Sequence, residues 1–231
     1  MSAEQKLKKW VKWLEIIKSE VSELVWSSSI YSETREIIIS NPVVNTGNRF
    51  YSWMNRNYVH ATLMGIRRQL DTHRDAVSLV NLLTDMKENC NFLTREYHLK
   101  QVYLLYPSEM HIHVQRVGNK TYDDLAGKAA NVFPVDKIED DLQQLLKIDH
   151  LHKNYVDRRI AHYDKRENIE TIGTYQDLYD AVVVFEEIVV KYYLLLKATT
   201  TILLPVPDYD WKDIFKQSWI SDLSNLEVEN N

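Results

Sequence analysis

Apolar residues recur at intervals of three and four over long stretches of this chain, and this periodicity constrains its fold more than any other feature. Between residues 4 and 26 the recurring positions are Leu7, Trp10, Val11, Leu14, Ile17, Val21, Leu24 and Val25. Side chains at that spacing share one face of an α-helix, because a helix completes a turn about every 3.6 residues. The pattern therefore predicts an amphipathic first helix that buries one face.

The same periodicity predicts helices along most of the remaining chain. We place them at 33–39, 49–70, after a cap at Asp75, at 92–106, from Asp136 onward, and from Thr174 to about residue 203. The 231 residues include only five Gly and five Pro, so residues that break helices are scarce. We predict an all-α fold. The stretch 182–196 is apolar on nearly all sides, which favours a place in a core or at a subunit interface.

Two regions depart from the helical pattern. Gly118, Gly127 and Pro134 interrupt residues 107–135, and the alternation from His111 to Val114 is typical of a strand or an extended loop. We predict an irregular insertion at 107–135 within a single domain at 1–220. After Pro205 and Pro207 the chain is rich in aromatic residues, so we expect an aromatic tail that docks back on the bundle, followed by a disordered tail at 221–231.

Charge and cysteine content limit the classes of function. The net charge of −5 provides no general positive field for nucleic acid, so any contact with RNA must be local. Cys90 is the sole cysteine and cannot form an internal disulfide, which favours a reducing compartment. The most apolar stretch, 181–196, is interrupted by charged residues, so we predict no membrane span and a cytoplasmic location.

One charged segment, Asp157–Asp164, combines residue types that can handle phosphate. Arg158 and Arg159 lie four and three positions before His162, so on a helix all three would be neighbours. A guanidinium presents donors that match two phosphate oxygens, and an imidazole exchanges protons near neutral pH. The segment predicts a phosphate site, and the alternative interpretation is a charged turn on a solvated helix face.

Two histidine pairs raise the alternative of a metal site. His111 and His113, and likewise His150 and His152, are two positions apart, which is not the spacing that places two ligands on one helix face. We therefore predict no metal site and no cofactor, and we interpret these histidines as surface or insertion residues. Trp10, Trp13, Trp26 and Trp53 fit helical patterns and are interpreted as core or interface residues rather than base-stacking platforms.

Three separated segments together resemble the HEPN superfamily of helical bundles, and within it the AbiU-like branch. They are Gly65–Asp71 with Val77–Leu83, Arg158–Asp164, and Asp210–Trp219. The resemblance implies an HEPN-like bundle that acts in bacterial abortive infection. It also implies a homodimer whose shared cleft cuts RNA without a metal ion, and an antitoxin or regulatory protein as a further partner.

The resemblance also assigns roles within the charged segment. His162 is expected to act as general base or acid, Arg158 or Arg159 to stabilise charge on the phosphate, and Asp157 to orient a cationic partner. The family pattern has a further Arg four to six residues before the His, and here Val156 occupies that position. A catalytically silent bundle that binds RNA or protein is therefore the alternative function.

Overall fold

The computed structural model describes residues 2–156, 173–204 and 210–217. Within these ranges the chain forms seven α-helices, α1 to α7, and the only β feature is an isolated bridge between Thr94 and Val132. The predicted all-α class is confirmed. The helices are α1 (Ala3–Ser40), α2 (Arg49–Gln69), α3 (Leu79–Glu88), α4 (Arg95–Leu105), α5 (His111–Ala126), α6 (Val135–Tyr155) and α7 (Tyr175–Lys197).

Helix α1 runs without a break for 38 residues, or about 57 Å. A capping box between Ser2 and Gln5 fixes its start. The prediction of separate helices at 4–26 and 33–39 is wrong, because α1 continues through the serine run Ser27–Ser29. Ser28 is buried and accepts a hydrogen bond from the Tyr58 hydroxyl at 3.4 Å. This contact with α2 gives the middle of the serine run a place in the packed interior, so the helix continues through it.

The centre of the bundle is α7, which packs most extensively along α1 and also contacts α2, α4, α5 and α6. Ten of its side chains are buried, so the apolar stretch 182–196 lies in the core of the chain itself. The predicted extension to about residue 203 is wrong, because α7 ends at Lys197 and Ala198 takes a left-handed conformation with φ of 55°. That conformation is typical of a helix C-terminus.

Residues 111–126 form helix α5, so the strand or extended-loop prediction for His111–Val114 is wrong. The buried positions Val114, Gly118, Tyr122 and Ala126 are four residues apart, which is a helical spacing. Gly118 lets α5 approach α4, because a Cβ there would lie 2.9 Å from Leu99 and Val102 side-chain atoms. Most of 107–135 is therefore helical rather than irregular, and its status as an insertion stays a prediction.

Two carboxylates, the partly buried Asp85 and the buried Asp141, connect helices that are distant in sequence. Asp85 on α3 accepts hydrogen bonds from Lys6, Lys9 and the Trp10 indole of α1 at 2.6–2.9 Å. Asp141 on α6 is paired with Lys191 and accepts a hydrogen bond from the Tyr192 hydroxyl of α7 at 2.8 Å.

Helix α3 is capped by Ser78 rather than by the predicted Asp75, since the Ser78 hydroxyl accepts a hydrogen bond from the Asn81 N–H.

The aromatic tail includes a short 3-10 helix, Trp211–Lys216. Lys212 forms an ion pair with Glu33 of α1 at 2.5 Å, so this part of the tail contacts the bundle as predicted. The predicted disordered tail at 221–231 lies outside the described residues. In the described part of the chain, no helix is long and apolar enough to cross a membrane.

Candidate functional site

The four predicted catalytic residues, Asp157, Arg158, Arg159 and His162, all lie outside the described residues. The described chain stops at Val156, directly after α6, and resumes at Gly173, directly before α7. The structure describes the residues on either side of 157–172, the stretch that contains the charged segment.

Residues on both sides of this stretch line the same cleft, which has a volume of about 640 Å³. His152 and Tyr155 line it from the end of α6, while Gly173 and Thr174 line it from the start of α7. The opposite wall is α2. The described residues around the cleft are Ser52, Asn55, Arg56, Val59, His60, Leu63, His152, Tyr155, Gly173, Thr174, Tyr175 and Leu178, and none of them is acidic.

Helix α2 supplies the basic wall through one stripe of side chains. Ser52, Arg56, Val59 and Leu63 are three or four positions apart and so share a face, and His60 lies beside them. Arg56 and His60 are exposed, and neither forms an ion pair within the described part of the chain. A guanidinium without an ion pair among the described residues, in a cleft whose described lining holds no carboxylate, favours an anionic ligand.

His152 is the buried polar group of the cleft, with 3% of its surface exposed. Its Nε2 has no hydrogen-bond partner among the described residues. Burial holds the pKa of His152 below its usual range, although a hydrogen bond with the Asp177 backbone and the charge of Asp177 oppose the shift. The interpretation of His152 as a surface or insertion residue is wrong, because it lies on the inward face of the last turn of α6.

The start of α7 is held in place beside this imidazole. Thr174 and Asp177 form a capping box in which the Thr174 N–H donates to the Asp177 carboxylate at 2.6 Å. Hydrogen bonds from the Thr174 side chain and backbone lower the pKa of Asp177. Gly173 makes the approach to His152 feasible, because a Cβ at that position would lie 2.5 Å from His152 Cε1.

A second cavity, of about 480 Å³, adjoins the cleft and shares Tyr175 with it. It is lined by Ser28, Tyr31, Ser32, Arg35, Tyr58, Tyr175, Gln176 and Tyr179. The Tyr31 hydroxyl donates to Asn55 Oδ1 at 3.2 Å, and Asn55 is itself part of the cleft. The two cavities therefore lie side by side between α1, α2, the end of α6 and the start of α7, and together they are called the groove.

Val156, which occupies the position of the expected Arg, is 1% exposed and belongs to the hydrophobic core. An Arg at this position would have to bury its charge among apolar side chains, which is costly without a partner. The structure therefore gives a packing reason for the valine at this position.

The other histidine pair is only partly on the surface. His111 lies at the start of α5, where its Nε2 is within hydrogen-bond distance of the carbonyl oxygens of Tyr103 and Tyr106. Its neighbour His113 is exposed. In the described ranges, no three His, Cys, Asp or Glu side chains gather into a group that could hold a metal ion.

Sequence reasoning missed Arg56, His60, His152 and the tyrosines of the second cavity. A signal existed for α2, since Ser52, Arg56 and His60 recur at intervals of four along the helix. No local pattern indicates that α1, α2 and α7 bring tyrosines together, because that depends on how the helices pack.

Comparison with known proteins adds one finding. The family model described as AbiU2, one of the HEPN families, matches residues 11–218 of this chain. No curated protein and no solved structure matches it.

Proposed function

Because the chain belongs to the AbiU2 family of HEPN proteins, we propose that it is an RNA endonuclease that works without a metal ion. This family membership makes the chain an abortive-infection-type defence protein. The proposed catalytic segment is Asp157–His162, and its proposed substrate is RNA bound in the adjoining cleft. A cytoplasmic location fits an RNA substrate and the single free cysteine, Cys90.

The proposed reaction is attack of an RNA 2′-hydroxyl on the adjacent phosphate. The bond between the 2′-oxygen and phosphorus forms as the bond to the 5′-oxygen breaks, which leaves a 2′,3′-cyclic phosphate and a 5′-hydroxyl. His162 acts as base for the 2′-hydroxyl proton or as acid toward the leaving oxygen. Arg158 or Arg159 stabilises the charge that develops on the phosphate, and Asp157 orients a cationic partner. Requiring the 2′-hydroxyl makes RNA rather than DNA the substrate.

This proposal rests on the cleft lined by the residues that flank 157–172, the stretch that contains the charged segment. His152 and Tyr155 before this stretch and Gly173 and Thr174 after it line the same cavity. Arg56 and His60 on the facing helix add basic side chains, and no carboxylate is among the described lining residues. Such a cleft attracts a phosphate backbone even though the whole chain is acidic.

Incubation of total RNA with the purified protein in EDTA tests the proposal. Wild type is expected to release fragments with 2′,3′-cyclic phosphate ends, and His162→Ala to be at least about 100-fold slower, because it lacks the general acid or base. His113→Ala removes an exposed histidine outside the cleft and is the matched control, with activity equal to wild type. Equal cleavage by wild type and His162→Ala would contradict the proposal.

Buried Val156 favours a second candidate function, that of a silent bundle that binds RNA or a protein. The family's additional Arg is absent from this position, so the reaction depends on Arg158 or Arg159 in its place. If the protein is a silent bundle that binds RNA, wild type releases no fragments in the same assay although it binds the RNA. Arg158→Ala is in that case expected to weaken RNA binding, with no cleavage to change.

We also propose that the protein acts as a homodimer. Apolar side chains are exposed where α1 ends and α2 begins, including Val43 (84%) and Trp53 (59%). Ile39 and Phe50 are exposed beside them, and Phe50 contacts Trp53 with ring centroids 5.7 Å apart. A cluster of large apolar side chains on a surface is typical of an interface. Because Trp53 and Arg56 are on the same helix, this interface would adjoin the cleft.

A further inference from the structure

The second cavity holds a group of aromatic side chains that the proposed chemistry does not use. Its walls include four tyrosines from three helices: Tyr31 from α1, Tyr58 from α2, and Tyr175 and Tyr179 from α7. Tyr175 and Tyr179 are one helical turn apart and each is 50% exposed. The cavity therefore presents aromatic surface to solvent beside the cleft.

Three of these rings are nearly parallel. Tyr31 stacks on Tyr58 with centroids 3.8 Å apart and an interplanar angle of 3°, and on Tyr175 at 5.9 Å and 13°. The hydrogen bond from the Tyr31 hydroxyl to Asn55 Oδ1, at 3.2 Å, helps to hold the stack in place. The rings of a fixed stack lose little freedom when a further flat group packs against them.

The charge of the groove matches a nucleic-acid backbone. Arg35 lines the tyrosine cavity and Arg56 lines the cleft, and neither has an ion pair among the described residues. No acidic residue lines either cavity within the described part of the chain. A positive groove with aromatic platforms is the arrangement that binds single-stranded nucleic acid, because every base has a face that stacks.

We propose that the tyrosine cavity is a stacking site for a base of single-stranded RNA, adjacent to the phosphate-handling cleft. Tyr175 and Tyr179 supply the exposed rings, and Arg35 pairs with the backbone phosphate of the stacked nucleotide. The site rests on the proposed function for its choice of RNA, but it concerns binding and does not require cleavage. A site of this kind selects unpaired RNA, because a base in a duplex has no free face.

Binding of a short fluorescent adenine-rich RNA to the His162→Ala protein tests the proposal without interference from cleavage. In that background, Tyr175→Ala and Tyr179→Ala are each expected to weaken binding about tenfold, the usual range for loss of one stacking contact. Tyr175→Phe and Tyr179→Phe keep the rings and are expected to bind like the parent. Tyr106→Ala removes an exposed tyrosine outside both cavities and serves as the control.

An RNA of the same length with abasic sites provides the second readout, since it has no base to stack and its binding should not respond to the alanine variants. If the alanine variants bind the normal RNA as tightly as Tyr106→Ala, the stacking site is refuted even where wild type cleaves RNA. If phenylalanine and alanine weaken binding equally, the rings are not the contact and the proposal also fails. Tyrosine-dependent binding without cleavage by wild type refutes the nuclease and leaves the stacking site standing.

Discussion

At the scale of single residues, the contact between Gly173 and His152 sets how closely the start of α7 approaches the end of α6. The imidazole occupies the space that a Cβ at position 173 would need, with Cε1 only 2.5 Å from the ideal Cβ position. Since His152 is buried, it has little room to move away. This pair therefore positions the start of α7 against the end of α6.

Gly173→Ala is expected to lower the free energy of unfolding by about 1–3 kcal/mol, the usual cost of overpacking a buried site. Chemical denaturation measures the change. In a His152→Ala background the same substitution should lower the free energy of unfolding much less, because the imidazole with which the new methyl group clashes is absent. Equal costs in the two backgrounds would show that the contact does not limit the approach.

The two most buried histidines, His98 and His152, make stability depend on pH. Burial lowers the pKa of both side chains, and the hydrogen bond between His98 Nδ1 and the Leu195 carbonyl only partly opposes the shift. Above about pH 6.5 both are neutral whether the chain is folded or unfolded, so they contribute no pH dependence. Below it the unfolded chain binds protons first, which favours unfolding.

The free energy of unfolding is therefore expected to fall as the pH drops from about 6.5 through the lowered pKa values of these histidines. Denaturation at a series of pH values measures the slope. His152→Gln should make the slope shallower in this range, whereas His113→Gln, at an exposed position, should leave it unchanged. A wild-type stability that rises on acidification would contradict the assignment of two buried neutral imidazoles.

Single residues were the hardest part of the site to predict from sequence. The predicted catalytic group followed from the local spacing of Arg158, Arg159 and His162, which needs no knowledge of tertiary structure. His152 was assigned to the surface or an insertion because its spacing from His150 does not suit a metal site, and its packing against Gly173, twenty-one positions later, is not visible in the local sequence.

At the scale of helices, the close approach of α1 and α2 depends on Gly65. A Cβ there would lie 2.4 Å from Leu24 Cδ2, and Leu24 is buried in the core. Both helices carry walls of the groove, so their separation affects its width. In the sequence alone Gly65 looks like an interruption of α2, but in the structure it is the point where the two helices meet.

Gly65→Ala is expected to destabilise the protein by about 1–3 kcal/mol through overpacking, even though alanine favours helix by about 1 kcal/mol over glycine. Thermal unfolding measures the effect. Met64→Ala changes the neighbouring, exposed position of the same helix and should have little influence. A stabilised Gly65→Ala protein would mean that helix propensity outweighs the contact with Leu24.

Helix positions followed from the sequence where one face is strongly apolar, as in α2 and α7. Helix positions could not be predicted where small residues form the buried face. The buried face of α5 includes Gly118 and Ala126, which contribute little to an apolar pattern, so His111–Val114 was assigned an extended conformation. The serine run in α1 suggested a break for a similar reason, since the partner of Ser28 is on another helix.

At the scale of the whole molecule, α7 fills the core, so the proposed dimer has to use another surface. The exposed cluster around Trp53 is the surface that supports it. Trp53→Asp is expected to give a monomer, because a charge at the centre of an apolar interface is costly to bury. Light scattering should give a mass near twice the 27.3 kDa chain for wild type and near one chain for the variant.

Tyr106→Asp, which places the same charge at an exposed site away from this cluster, should remain dimeric. A monomeric wild type would contradict the shared-cleft arrangement. A dimer that Trp53→Asp leaves intact would instead move the interface to a different surface.

The central proposal is that RNA lies in the groove, which is formed by α1, α2, the end of α6 and the start of α7. Photocrosslinking tests it most directly, with 4-thiouridine RNA bound to the His162→Ala protein and crosslinked peptides identified by mass spectrometry. We expect crosslinks to peptides that contain Ser52–Leu63 and Thr174–Tyr179, which line the groove. Crosslinks confined to peptides of α3 and α5, which line neither cavity, would contradict the claim.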